Sequence, residues 1–170
     1  MFDTLENAVL KFGKIAAEFE AIRIAALEAG AQEFLKRAKA AIGTYEYGWP
    51  SLAESTIASK GGADTPGLET GDMQASGSYE VHAASFTVGF TDPKTAWFEF
   101  GTSRQPPRPI IGGTIDHHGA EIARLVGIRF GEIMAGTLAT GSVATSIARS
   151  FSSQYSPITI GRAVSRAFRR

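Results

Sequence analysis

The chain has 170 residues, of which 44% are apolar and 20% charged, ordinary globular usage that excludes wholesale disorder. That length suits one core-bearing domain with appendages rather than two ordinary domains. Basic and acidic side chains cancel overall, but residues 1–100 carry 8 basic and 14 acidic groups and residues 101–170 carry 9 and 3, leaving the two parts at −6 and +6.

Such polarity suits association in which one subunit's acidic surface meets another's basic one; it would serve equally to keep a monomer in solution. No apolar run approaches the roughly 18 residues a membrane span needs. Met1–Leu10 lacks the basic start and apolar block of a signal peptide, so a soluble chain made in the cytoplasm is expected. Cysteine is absent, which removes disulfides, thiolate metal sites and a cysteine nucleophile together.

From Leu5 to Ile42 the apolar residues recur mostly at three- and four-residue steps, through Phe12, Phe19, Ile22, Ala26, Phe34 and Ala38. That is the period of a helix with one apolar face. Asp3 or Thr4 can cap it, Gly30 is a candidate bend, and Gly43 ends the pattern. At 1.5 Å per residue a straight helix over this span reaches roughly 58 Å. A compact domain of this size has no need of such length, so part of the helix is expected to pack on a neighbour.

Tyr45–Lys60 opens with an aromatic turn broken by Gly48 and Pro50, and continues as a short helix containing Leu52, Ala53, Thr56 and Ile57. Gly61–Gly71 is rich in turn formers and predicts a loop whose order depends on a partner. At Gly77 the period changes to two, with Phe86, Val88 and Phe90 on one parity, predicting a strand pair. After a turn at Thr91–Lys94, the aromatic run Thr95–Phe100 is predicted as a further strand, stopped by Gly101.

Three prolines in Ser103–Pro109 forbid a regular helix and make a stiff extended loop. Thr114 or Asp116 can cap a second long helix running to about Ala135, whose apolar stripe is expected to cover the sheet. Residues 136–170 are too polar for a second core and predict an extended arm with a basic end. The fold class is therefore α+β: a long N-terminal helix, a small antiparallel sheet covered by a second long helix, and a C-terminal arm, with a single domain over residues 1–135.

Little of this points to catalysis. Adjacent histidines on a helix point about 100° apart, so His117 and His118 do not easily share an ion, and a helix-cap Asp116 followed by two surface histidines accounts for the triplet. No GxSxG elbow accompanies the three histidines, and no phosphate-binding glycine loop is present, so no enzyme activity and no cofactor are expected. The basic end, Arg162, Arg166, Arg169 and Arg170, suits an acidic protein neighbour or plain solvation, and less well DNA phosphates.

The stretch Trp97–Pro109 (WFEFGTSRQPPRP) has the strongest character of a docking edge. A stiff loop loses little entropy on binding, and Arg104 and Arg108 are suited to paired hydrogen bonds with carboxylates. The predicted interface is Trp97, Phe98, Glu99, Phe100, Arg104, Pro107, Arg108 and Pro109; the alternative is a rigid turn that closes the sheet.

Three segments in order, WPSLAEST at Trp49–Thr56, LETGDMQAS at Leu68–Ser76 and EFGTSRQPPRP at Glu99–Pro109, follow an N-terminal helix. Together they resemble the tail-completion or virion-morphogenesis proteins of tailed phages, related to the minor tail protein Z and Mu protein G types. The resemblance spans about residues 1–135. Where the family continues into an aromatic–leucine pair, this chain has Ile110 and Ile111.

What the resemblance implies is a small α+β subunit of the virion neck or upper tail, assembled as a homo-oligomeric ring, by implication a hexamer, around the DNA channel. Its partners would be head-side connector or head-completion proteins and tail-tube proteins, with DNA in the lumen bound without sequence specificity. A head-completion plug or adaptor that seals packaged DNA, and a DNA-binding module, stand as alternatives.

Overall fold

The computed structural model describes residues 5–139, as helices α1 (Leu5–Ala41), α2 (Glu54–Ser59) and α3 (Asp72–Ala75), strands β1 (Gly77–Val81) and β2 (Phe86–Phe90), and helices α4 (Lys94–Phe100) and α5 (Ile111–Ala139). This is the α+β class expected, with two long helices and a two-stranded antiparallel sheet. Two compact units divide the chain, Phe19–Phe130 and a second made of Met1–Glu18 with Gly131–Arg170. Helix α5 continues past Ala135, where the apolar pattern weakens, to Ala139; the rest of the expected arm, with Arg162, Arg166, Arg169 and Arg170, lies outside the described residues.

Within Phe19–Phe130 the core forms on one stripe of α1. Ile22, Ala26, Phe34, Ala38 and Ile42 are buried at four- and eight-residue steps, each step of four turning the helix by little more than one revolution. Trp49, Met73, Ile110 and Ile122 add to the buried core from the loops, α3 and α5. Full burial of each large side chain contributes about 1.5–3 kcal/mol. Much of the α1 stripe is alanine or glycine, which lets its neighbours approach closely.

Gly30 shows why. It lies inside the unbroken helix, and a Cβ there would come within 2.4 Å of Val126 Cγ2 on α5 and 3.3 Å of the Phe86 ring on β2. The glycine is therefore explained by close packing among α1, α5 and β2.

The hairpin pairs Gly77 with Phe90, Tyr79 with Val88 and Val81 with Phe86. Phe86, Val88 and Phe90 are half-buried while Thr87 between them is exposed, the alternation expected of a strand with one covered face. Phe34 of α1 meets Phe86 edge-on with ring centroids 6.4 Å apart. On the other strand the Tyr79 hydroxyl donates to Glu28 and accepts from Gln32 of α1.

Two predicted elements are corrected. Thr95–Phe100 belongs to helix α4, not to a strand. The preceding Asp92-Pro93 starts the helix: the Asp92 carboxylate accepts the Lys94 N–H at 2.8 Å, its carbonyl accepts from Thr95 at 3.0 Å, and Pro93 sits in the right-handed helical region. Aromatic β-propensity is a weak local preference and yields to this turn.

Helix α5 starts at Ile111, before either proposed cap. Thr114 lies fully buried within it, its hydroxyl donating to the Ile110 carbonyl at 2.8 Å and lying 3.0 Å from the Tyr47 hydroxyl. The Gly61–Gly71 loop is anchored within the chain rather than left to a partner, because Pro66 is fully buried and its carbonyl accepts the Gly43 N–H at 2.8 Å.

Gly30→Ala is expected to lower stability by up to about 2 kcal/mol, since overpacking costs about 1–3 kcal/mol against ~1 kcal/mol of helix propensity gained. Adding Val126→Ala should recover part of the loss. Urea denaturation of the two variants beside the wild type measures both effects.

Candidate functional site

The segment Trp97–Pro109 folds as the last turn of α4 followed by a tight loop that delivers the chain to α5. At Gly101 the backbone takes φ 72° and ψ −178°, a conformation that favours glycine, and a Cβ there would meet the Gln105 carbonyl oxygen and the Pro107 nitrogen at 2.9 Å. The loop then closes on itself through reciprocal backbone bonds between Thr102 and Gln105. Arg108 N–H donates to the Phe98 carbonyl at 2.7 Å, tying the loop's end back to α4.

Glu99 occupies the centre. One carboxylate oxygen accepts the N–H groups of Ile110 at 2.8 Å and Ile111 at 3.0 Å, and the other accepts that of Gly112 at 2.7 Å. These donors have no carbonyl partner within their own helix, and the negative charge sits at the positive end of the α5 dipole. A residue from another helix thus caps α5.

Arg108 is also turned inward. It is only 3% exposed; Nε donates to the Pro50 carbonyl and Nη2 to that of Ser51, both at 2.9 Å. Trp49 Nε1 donates to the Pro109 carbonyl at 3.2 Å, so the loop and the Tyr45–Ser51 turn are joined from both sides. The expectation that Arg104 and Arg108 together face a partner is therefore corrected. Arg104 is exposed, whereas Arg108 is held by two carbonyls of its own chain.

The helical form of α4 sorts the aromatic residues by face. Phe98 packs against the core beside Gly67, where a Cβ would approach its ring to 3.2 Å. Trp97 is 54% exposed and Phe100 82% exposed. Of the predicted interface, Trp97, Phe100, Arg104 and Pro107 face outward, and Phe98, Glu99, Arg108 and Pro109 are engaged within the fold.

A polar cluster that sequence reasoning missed joins α1, the aromatic turn and α5. Arg37 donates from Nε to Glu33 at 2.8 Å and from Nη2 to Glu121 at 2.9 Å, while Nη1 lies 2.8 Å from His118 Nδ1. Arginine only donates, so His118 Nδ1 accepts and its proton sits on Nε2, 3.4 Å from a Glu46 oxygen. His117 turns elsewhere and stacks on Tyr47, centroids 4.9 Å apart. His118 is thus a partner of Arg37 rather than the surface histidine expected. The sequence signal was limited to the i, i+4 pair of Glu33 and Arg37.

The hydrogen bond from Arg37 holds the Glu33 carboxyl below the usual carboxylate range, against the opposing effect of burial and with Lys36 assisting. Burial pushes the Tyr47 phenol up, and the hydrogen bond to Asp64 raises that of Tyr45. These shifts accompany packing and ion pairing; Glu33 and Arg37 also line an open hollow of about 470 Å³ with Glu121 and Arg129.

Arg108→Ala should destabilise the fold by about 2–3 kcal/mol, because a buried side chain and its two charge-assisted hydrogen bonds to the Pro50 and Ser51 carbonyls are lost. Arg104→Ala should stay within about 0.5 kcal/mol of the parent. Glu99→Ala is expected to cost about 2 kcal/mol through the lost helix cap. Thermal unfolding of the three variants ranks them.

Because the folded-state pKa of Glu33 is depressed, its contribution is present above the ordinary carboxylate range and is lost as pH falls through and below it. Glu33→Gln should flatten the acid limb of a stability-against-pH curve and leave neutral-pH slopes unchanged. No protein-family model, curated protein or solved structure matches the chain.

Proposed function

We propose that the chain is a structural subunit of a tailed-phage virion, forming a homo-oligomeric ring at the head-to-tail junction that completes the tail and joins it to the head connector. The observation that carries this reading is the outward face of α4 and its loop, where Trp97 and Phe100 stand exposed beside Arg104. Large exposed aromatics next to an arginine on a stiff scaffold have the composition of an interface centre.

Other features support the same reading. The ordered motifs resembling the tail-completion family are joined to this segment, through Arg108 to the carbonyls of Pro50 and Ser51 and through Lys94 to Glu69. Leu10 and Phe12 on the first turns of α1 are 64% and 72% exposed, apolar surface that a neighbouring subunit would cover. The opposite charge of the two parts of the chain suits head-to-tail contact between copies.

In this role the protein works by binding, without turnover, and uses no cofactor. Its neighbours are further copies, by family resemblance five of them, together with head-side connector and tail-tube proteins. DNA passes through the lumen without sequence-specific contact. The reading as a head-completion plug rests on the basic C-terminal arginines alone.

Particles assembled without the subunit should show full heads beside unattached or abnormal tails; leakage of packaged DNA would instead identify a plug. Electron microscopy of intact particles carrying a labelled subunit should find it in the neck. Trp97→Ala with Phe100→Ala should leave thermal unfolding nearly unchanged while weakening self-association at least tenfold, as read by analytical ultracentrifugation. A wild type that stayed monomeric at high concentration would overturn the ring.

A further inference from the structure

The hydrogen-bond phase of the hairpin leaves a specific edge open. His82 N–H donates to the Ser85 carbonyl, and Thr91 N–H to that of Ser76. In an antiparallel ladder bonded and non-bonded pairs alternate. With the observed register, Glu80 with Thr87 and Ser78 with Gly89 are therefore the bonded pairs inside the strands. Phe86, Val88 and Phe90 fall on the other phase, so their N–H and C=O groups point away from β1.

Among the described residues no third strand pairs with that edge. Neither a charged residue nor proline interrupts Phe86–Phe90, so two of the usual devices that blunt an edge are absent from it. Alongside it runs an apolar groove of about 450 Å³, with Phe86 and Val88 on one wall and Ile115, Ile122 and Val126 of α5 on the other. A second hollow continues past Phe90 to Phe100, and Ile111 borders both. Unpaired backbone groups beside an apolar groove are the recognition chemistry of an added β-strand.

The chain itself contains a segment of matching chemistry. After Ala139 come 31 residues, which in extended form would span up to roughly 100 Å, ample to reach a neighbouring copy. Residues 140–170 hold five arginines and no acidic residue, whereas residues 19–130 hold 10 basic and 13 acidic side chains. Within that basic segment, Ile158 and Ile160 stand two residues apart around Thr159, the step that separates Phe86, Val88 and Phe90. Pro157 just before them suits the start of a strand, where a missing N–H leaves nothing unpaired.

We propose that residues 157–160 of a second copy add to the open edge of β2 as a third strand, placing Ile158 and Ile160 over the groove between β2 and α5. The giving and receiving surfaces differ, so the contact is head-to-tail and repeats from copy to copy until a ring closes. This deepens the ring reading, on which it rests for the presence of a second copy.

The absence of native cysteine makes a disulfide trap readable. A full-length chain carrying Val88→Cys is mixed under mild oxidation with differently tagged chains carrying Ile158→Cys or Ile160→Cys. A covalent mixed dimer that reductant reverses is expected, and Glu54→Cys in place of Val88→Cys should give none. In the otherwise unaltered chain, amide exchange at Phe86, Val88 and Phe90 should be at least tenfold slower than in a variant with Ile158→Asp and Ile160→Asp.

An oligomer whose Phe86, Val88 and Phe90 amides exchange freely would overturn the proposal while leaving the ring intact. So would a chain bearing both cysteines that closes on itself as a monomer, or edge protection that arises only when a different protein is added. A wild type that never associates would defeat the ring and this contact together.

Discussion

Three N–H groups at the first turn of α5 have no carbonyl to meet inside their helix, and the Glu99 carboxylate meets all three. Because Glu99 belongs to α4, this contact fixes the end of one helix against the start of another and obliges the ten intervening residues to fold back. Gly101 makes the first reversal by adopting a positive φ, and Arg108 completes the closure through the Phe98 carbonyl and the carbonyls of Pro50 and Ser51. The proline-rich loop is stiff both because its torsions are restricted and because it is bonded at each end.

The same constraint decides which aromatic residues remain outside. Once Glu99 must reach the α5 terminus, the helical turn of about 100° per residue puts Phe98 beside the core and leaves Trp97 and Phe100 in solvent. The proposed interface and a structural joint therefore share one short segment, with alternate positions assigned by helical phase. This separates the two arginines as well: Arg108 closes the loop and Arg104 remains available at its tip.

Packing around Gly30 gives the other half of the design. Close approach of α5 and β2 to α1 brings Ile122 into the core, while the strip between α5 and the outer edge of β2 remains as a groove. A two-stranded sheet is marginal without such support, and here α1 supplies it through Phe34 and through the residues that bond Tyr79. Apolar surface is left on α4, α5 and the beginning of α1, and the proposed ring would give that surface an occupant.

Local periodicity was enough to read α1, the hairpin and the body of α5, because four-residue and two-residue apolar steps are properties of the chain alone. The aromatic run of α4 misled, since Trp, Phe and Thr also suit a strand and the deciding Asp92-Pro93 turn acts through its own hydrogen bonds. The start of α5 was misplaced because its cap lies a loop away, at Glu99, where no adjacent-residue rule would look. Trp97–Pro109 could be singled out from composition, but the division of its residues between bonding inward and facing outward was settled by tertiary structure. The carbonyls of Pro50 and Ser51 and the α5 terminus come from other parts of the chain, and only folding brings them to Arg108 and Glu99.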